Sequence, residues 1–150
     1  MTRRIQVSNI VSLASTALRR NGLSEEDSSV VIAHLLDGEL SGHSSHGFFR
    51  IPGIVRVLLK KGVGSKITLE KETPFSASIN GGGRLGLVVA QYATDLAIRK
   101  AQKEKIGVVG AYNYVGTTGA MGYYSRKIAD NNLVGIVLLR AELIGGGSPQ

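Results

Sequence analysis

The spacing of apolar residues changes near Gly62, and this change limits what the chain can fold into. Before it, apolar side chains recur every three or four residues, which is typical of amphipathic helices. After it, apolar and polar residues alternate over short runs, which predicts strands with one wet face. The sequence therefore predicts an α/β fold in two parts: an N-terminal helical segment over 1–62, and a mixed sheet with flanking helices over 63–150.

Caps and breaks divide the first part into three predicted helices. The first covers about 8–20, and the second follows Ser24, whose hydroxyl suits an N-cap. The third ends at Lys61, and Pro52 fits its first turn because the missing amide hydrogen costs little there. His34 lies inside the second helix without a partner group at helical spacing, so we expect a packing or surface histidine.

The second part alternates strands and helices. The predicted elements are strands at 67–72 and 75–79, a helix over 85–97, a buried strand at 107–112, a helix over 118–130 and a strand at 133–139. The last three form a strand, helix, parallel strand unit with a right-handed crossover. The glycine loop at 80–83 can cradle phosphate, but it lacks the lysine and hydroxyl of a P-loop, so we interpret it as a turn.

The loop at 113–119 is a candidate cofactor site. It follows the carboxyl end of a predicted strand, where open α/β sheets place their ligands. Its glycines and threonines precede a helix N-terminus, which can bind a cofactor phosphate or amide. The candidate cofactor-binding residues are Gly116, Thr117, Thr118 and Gly119.

Composition narrows the class of protein. The chain has 150 residues, 43% of them hydrophobic, which is enough for one core, and it has no cysteine for disulfides or thiolate zinc sites. No stretch approaches the roughly 20 apolar residues of a membrane span and no signal peptide is visible, so we expect a cytoplasmic protein without a membrane partner. The net charge of +7 leaves a basic nucleic-acid-binding domain as an alternative. The basic residues are spread along the chain, however, which favours an anionic small molecule and no nucleic acid.

Residues 41–52 hold the densest chemistry in the chain, including two of its three histidines. If the residues from Ser45 onward form a helix, His46 and Arg50 are four apart and share one face, with a proton-transfer group beside a guanidinium suited to a carboxylate. This pairing suits redox or proton chemistry on a carbonyl or alcohol flanked by a carboxylate. One alternative is that His46 caps or packs a helix end while Arg50 faces water. A zinc site of Glu39, His43 and His46 is another, but a glycine break separates these ligands, so we expect no metal.

Four stretches of sequence follow one another along nearly the whole chain. They are Ser45-His46-Gly47-x-x-Arg50-x-Pro52, Asn80-Gly81-Gly82-Gly83-Arg84-Leu85-Gly86, the region from Ala97 to Gly107, and Gly119-Ala120-Met121-Gly122-Tyr123-Tyr124. Together they resemble the signature of the type 2 malate/L-lactate dehydrogenase family. The resemblance implies a fold other than the Rossmann fold, NAD or NADP as the cofactor, and residues 63–150 as the start of the cofactor-binding domain.

The resemblance also implies an oxidoreductase that moves a hydride between the cofactor and a 2-oxo or 2-hydroxy acid. His46 would give a proton to the substrate oxygen or take it, Arg50 would hold the carboxylate, and Ser45 would orient the substrate or His46. We further expect a homodimer with the His46 region near the subunit boundary.

Two departures from the family pattern leave an alternative open. Residues 115–119 lack the second histidine that family members usually carry there, and the chain is much shorter than those members. A non-catalytic fragment, or an oligomerisation or binding module of the same fold, is therefore the alternative. We expect the 150-residue polypeptide alone to bind nicotinamide cofactor weakly or not at all. We also expect that Thr117 does not replace the missing histidine, because a hydroxyl without an adjacent base is a poor proton carrier.

Overall fold

The computed structural model describes residues 5–139. This part of the chain contains five α-helices, two 3-10 turns and a three-stranded sheet, so the predicted α/β class is confirmed. In chain order the elements are α1 Val7–Arg20, α2 Glu25–Leu40, the 3-10 turns Ser44–His46 and Phe48–Arg50, α3 Ile51–Lys61, β1 Thr68–Glu72, β2 Ser76–Asn80, α4 Gly86–Glu104, β3 Val108–Tyr112 and α5 Met121–Ala129. None of the helices found between residues 5 and 139 is long and apolar enough to cross a membrane.

The three N-terminal helices begin and end where the local sequence signals place them. Ser24 caps α2, because its side-chain oxygen accepts a hydrogen bond from the N–H of Asp27 at 3.1 Å. Pro52 lies in the first turn of α3, and Gly62 ends that helix with a φ of +75°, which favours glycine. All three predicted helices are confirmed, and their apolar stripes face a common core.

Strand β2 lies at the centre of the sheet, antiparallel to β1 and parallel to β3. A parallel pair needs a crossover connection, and α4 supplies it between β2 and β3. Lys100 of α4 also holds the β1–β2 connection, because its ammonium donates to the Glu72 carboxylate at 2.8 Å and to the Thr73 carbonyl at 2.7 Å. The helix and the hairpin are thereby joined by a buried cation.

The predictions for 133–139 and for the burial of β3 are wrong. Residues 133–139 pair with no strand in the described part of the chain, and Val134 and Ile136 are 99% and 83% exposed. An alternating apolar run becomes a strand only where a partner supplies ladder hydrogen bonds, and no described strand does so here. The predicted crossover from β3 through α5 to a second strand is therefore not formed. Strand β3 is an edge strand with alternate residues exposed, among them Val108 and Tyr112.

One hydrophobic core joins the helical segment to the sheet. Its members from the first part include Leu18, Val31, Leu35, Ile54 and Leu58, and those from the second include Ile79, Leu85, Leu87 and Val89. An ion pair between Arg84 and the buried carboxylate of Asp27 ties the start of α4 to the first turn of α2. The loops that follow α2 and β3 are consequently carried on one packed body.

Candidate active site

The segment that contains Ser45, His46 and Gly47 folds as two 3-10 turns and not as one helix. The first turn ends at His46 and the second at Arg50, and between them Gly47 is extended, with φ −91° and ψ −154°. The Glu39 carboxylate occupies the space that a Cβ atom at Gly47 would need. The expectation of one helical face for His46 and Arg50 is therefore wrong, because the extended glycine redirects the chain between them.

Ser45 and His46 contact each other at the end of the first turn. The Ser45 Oγ lies 3.2 Å from Nδ1 of His46, and the imidazole is half-buried. A partner on Nδ1 leaves Nε2 as the ring nitrogen that can exchange a proton with a ligand. This contact is what an orienting serine requires, and the catalytic role of the two residues stays a prediction.

Arg50 is held by the backbone beside His46. Its Nε donates a hydrogen bond to the Ser45 carbonyl oxygen at 2.7 Å. The terminal nitrogens of Arg50 have no hydrogen-bond or ion-pair partner within residues 5–139, so the fork suited to a carboxylate remains open. Ser45 therefore contacts both residues, through its hydroxyl on His46 and through its carbonyl on Arg50.

A cleft of about 180 Å³ lies between the start of α3, the start of α4 and the loop after β3. Its lining residues are Arg50, Gly53, Ile54, Val57, Leu85, Leu87, Gly116 and Thr117. Arg50 is the one charged residue among them, and most of the other side chains are aliphatic. Such a cleft suits a small anion that carries a short apolar part.

The loop after β3 divides the four candidate cofactor residues into two pairs. Gly116 and Thr117 line the cleft, and Gly116 adopts a φ of +73°. Thr118 is buried, and its carbonyl accepts a hydrogen bond from the Tyr124 hydroxyl at 2.6 Å. Gly119 packs against the His34 ring, and its N–H donates to the Thr117 hydroxyl at 3.0 Å. The structure thus brings Arg50, Gly116 and Thr117 together, while Thr118 and Gly119 face the interior.

His46 is not among the residues that line the cleft. It is connected to the cleft by two contacts of Ser45, whose hydroxyl lies on the His46 ring and whose carbonyl accepts from Arg50. The proposed proton donor and the proposed carboxylate clamp are therefore linked through one serine, and a ligand on Arg50 must extend towards His46 to receive its proton.

The zinc alternative finds no support in the described residues. The Glu39 carboxylate accepts a hydrogen bond from the Phe48 N–H at 3.2 Å, so it stabilises the second 3-10 turn. No group of three or more histidine, aspartate or glutamate side chains is placed to hold a metal ion between residues 5 and 139.

The glycine loop at 80–83 is a turn whose amides are already used. The N–H groups of Gly81 and Gly83 donate to the carbonyls of Tyr112 and Asn113, both at 2.8 Å. The N–H of Gly82 donates to the Asn80 side chain at 2.9 Å. Because these three amides have partners within the protein, the loop has little left to offer a phosphate.

His34 has a role that the sequence did not reveal. It is only 2% exposed, so the expectation of packing is confirmed, and its Nε2 accepts a hydrogen bond from the Ala120 N–H at 2.8 Å. Burial lowers the pKa of His34 to about 4, with Asp37 acting in the opposite direction. Its partner lies 86 residues away, so no local spacing could have indicated this contact.

The family model described as Malate/L-lactate dehydrogenase matches residues 5–144. The L-sulfolactate dehydrogenase of Methanothermobacter thermautotrophicus is 36% identical to this chain over 152 aligned positions. Among solved structures, the malate dehydrogenase of Pyrococcus horikoshii superposes with a TM-score of 0.79 at 33% identity, and the sulfolactate dehydrogenase of Methanocaldococcus jannaschii with 0.79 at 33%. The chain belongs to the malate/L-lactate dehydrogenase family, because the family model matches nearly its whole length and the fold and the ordered motifs agree with that match.

These alignments cover unequal shares of the two partners. The match to the Methanothermobacter protein takes 97% of this chain but 44% of that protein. The structural matches take 85% of this chain and 37% or 38% of the longer ones. The chain therefore spans less than half the length of these relatives.

Proposed function

We propose that the protein is an NAD(P)-dependent oxidoreductase that transfers a hydride between a nicotinamide cofactor and a 2-oxo or 2-hydroxy acid. The observation that carries the proposal is the cleft that Arg50, Gly116 and Thr117 line together. A carboxylate clamp and the candidate cofactor loop then border one space. The relatives named above are dehydrogenases of sulfolactate and malate, which supports the same class of substrate.

In the proposed mechanism two side chains act on the substrate, and a third orients one of them. Arg50 grips the carboxylate through its two terminal nitrogens, while its Nε stays on the Ser45 carbonyl. His46 gives a proton to the carbonyl oxygen in reduction and takes it back in oxidation, through Nε2. The Ser45 hydroxyl on Nδ1 keeps the ring in the orientation for that transfer. The nicotinamide, when bound, supplies or accepts the hydride.

The cleft fits one end of such a cofactor. Gly116 has no side chain there, and an added Cβ would meet nothing nearer than Val57 at 3.7 Å, so a flat ring can approach the backbone. A volume of about 180 Å³ holds a small acid or a ring, whereas pockets for whole drug-sized ligands measure roughly 300–1,000 Å³. The remainder of NAD or NADP would extend past the residues that line this cleft. Both cofactors stay within the proposal.

The proposal includes a homodimeric state and a cytoplasmic location. The support for dimerisation is a set of large apolar residues that the described part of the chain leaves exposed, Phe49 by 83%, Leu59 by 74% and Leu40 by 71%. Phe49 lies between His46 and Arg50 in sequence, so a partner that covers it would reach the site. The cytoplasmic location rests on the sequence pattern described above.

The test measures turnover of a panel of 2-oxo acids through the change in nicotinamide absorbance. It uses two matched pairs of variants. His46→Gln removes the proposed acid, and His43→Gln removes an exposed histidine from the same segment as a control. Arg50→Gln removes the proposed clamp, and Arg56→Gln removes an exposed arginine from α3. The proposal is supported if His46→Gln and Arg50→Gln lose turnover while His43→Gln and Arg56→Gln keep it. It is contradicted if the two variants of each pair turn over equally.

The alternative of a non-catalytic module of the same fold has its own signal. Residues 115–119 carry no histidine, whereas the family pattern described above has one there. A protein that binds 2-oxo acids and nicotinamide but shows no turnover in the same panel would favour this alternative.

A further inference from the structure

Helix α2 contacts both sides of the candidate site. Near its end Gly38 packs under the His46 carbonyl, where an added Cβ would lie 2.7 Å from the oxygen. Glu39 holds the second 3-10 turn through the Phe48 N–H. One turn earlier, His34 accepts the Ala120 N–H at the end of the loop that carries Gly116 and Thr117. One rigid helix thus fixes where the proposed acid and the proposed cofactor loop lie relative to each other.

The hydrogen bond at His34 specifies one form of the imidazole. A backbone N–H can only donate, so Nε2 must be unprotonated and the ring proton of a neutral His34 must be on Nδ1. The ring is enclosed by Tyr123 and Tyr124 of α5, with centroids 4.5 and 5.3 Å away. Nδ1 has no hydrogen-bond partner within the described residues, so the contact with Ala120 is the one polar contact that positions this ring there.

The loop is shaped to receive this ring. Gly119 has a φ of +81°, and a Cβ at this position would overlap the His34 ring. The neighbouring Thr118 is held from the other side by the hydroxyl of Tyr124. The loop is therefore clamped between α2 and α5 immediately after the two residues that line the cleft.

We infer that His34 is a positioning residue that holds the loop of residues 116–120 against α2, as a neutral imidazole protonated on Nδ1, and thereby keeps Gly116 and Thr117 on the cleft that Arg50 also lines. The part of this inference that concerns the cofactor rests on the proposed function. The hydrogen bond and its effect on the loop do not.

The first experiment reads the tautomer in the wild-type protein. Long-range ¹H–¹⁵N NMR spectra distinguish a ring protonated on Nδ1 from one protonated on Nε2 at neutral pH. The expected result is Nδ1–H with Nε2 as the acceptor. A ring with its proton on Nε2 overturns the inference, and this measurement needs no variant to fold.

The second experiment compares two substitutions of His34. His34→Gln keeps an acceptor oxygen near the position of Nε2, whereas His34→Met keeps the volume and removes the acceptor. Amide exchange of Ala120 should accelerate by about tenfold or more in H34M and stay near wild type in H34Q. Exchange that is equal in wild type and H34M overturns the inference.

The third readout connects the loop to the cofactor. Titration of NADH should give a dissociation constant or KM raised by about tenfold in H34M and restored in H34Q, with a smaller change in kcat. If wild type and H34M bind NADH equally although their Ala120 exchange rates differ, the loop position does not affect cofactor binding. That result overturns the part of the inference that concerns the cofactor. If wild type binds no nicotinamide at all, which is one of the outcomes expected above for this polypeptide alone, the non-catalytic alternative replaces the proposed function for this chain. The tautomer and the exchange rates still decide the role of His34 in the loop.

Discussion

The Nε of Arg50 donates a hydrogen bond to the carbonyl oxygen of Ser45 at 2.7 Å, although an extended glycine separates the two turns that carry these residues. The peptide before His46 thereby orients the guanidinium that lines the cleft. The pairing that a helical spacing was expected to provide is provided instead by this backbone contact.

Replacing Arg50 by lysine should weaken the binding of a 2-oxo acid although the charge is kept. Lysine cannot hold the Ser45 carbonyl and grip a carboxylate with a planar fork at the same time. We expect KM for the acid to rise by at least about tenfold, because one of two parallel hydrogen bonds and the preset orientation are lost. The control is Arg56→Lys on α3, the helix that follows Arg50, and it should leave KM unchanged.

Replacing His46 by glutamine should lower kcat while leaving the affinity for the acid nearly intact. General acid–base groups contribute about a hundredfold or more to the rate, and this term acts only in the transition state. His43→Gln lies in the same exposed segment and should keep full kcat. Steady-state kinetics on both variants check this, and a His46→Gln enzyme with wild-type kcat would remove His46 from the mechanism.

The stability of the protein should fall as the pH is lowered from about 6.5 to about 4. Burial lowers the folded-state pKa of His34 from 6.5, the value for a free imidazole, to about 4; Asp37 opposes this shift, and His46 and Arg126 add to it. Between these values the unfolded chain binds the extra proton, so unfolding becomes easier as the pH falls, by on the order of 2 kcal/mol in total. Urea denaturation at several pH values measures the slope, and His34→Gln should flatten it.

Replacing Lys100 by methionine should destabilise the fold by about 1–3 kcal/mol, because the Thr73 carbonyl and the Glu72 carboxylate lose their buried donor. Lys103 on the same helix has a side chain that is 81% exposed, so Lys103→Met should change stability by less than about 0.5 kcal/mol. Denaturant midpoints of the two variants provide the comparison, and equal midpoints would mean that the Lys100 contacts contribute no net stability.

Phe49→Ser should weaken self-association if the exposed apolar side chains near the site form a subunit interface. The side chain is 83% exposed, so its loss should leave the fold of one subunit intact. Light scattering at micromolar concentration should find a wild-type dimer and a larger fraction of monomer for the variant. A wild-type protein that is monomeric there would contradict the dimer.

The helices and the first two strands were predictable because their signals are local. Ser24 and Pro52 mark helix starts within a few residues, and alternation marks β1 and β2. Residues 133–139 show the limit of the same argument, because their apolar alternation says nothing about whether a partner strand lies beside them. The contact of His34 with Ala120 joins positions 86 apart, and only the packed fold brings them together.

The binding of an acid at Arg50 is tested by titrating pyruvate and lactate into the wild-type chain, Arg50→Gln and Arg56→Gln while amide chemical shifts are recorded. If the acid binds in this cleft, saturable shifts are expected at Gly53, Ile54, Gly116 and Thr117, which line it with Arg50. Arg50→Gln should abolish these shifts, and Arg56→Gln should retain them. Shifts that map away from the cleft, or that persist unchanged in Arg50→Gln, would contradict the assignment of this cleft as the site of a 2-oxo or 2-hydroxy acid.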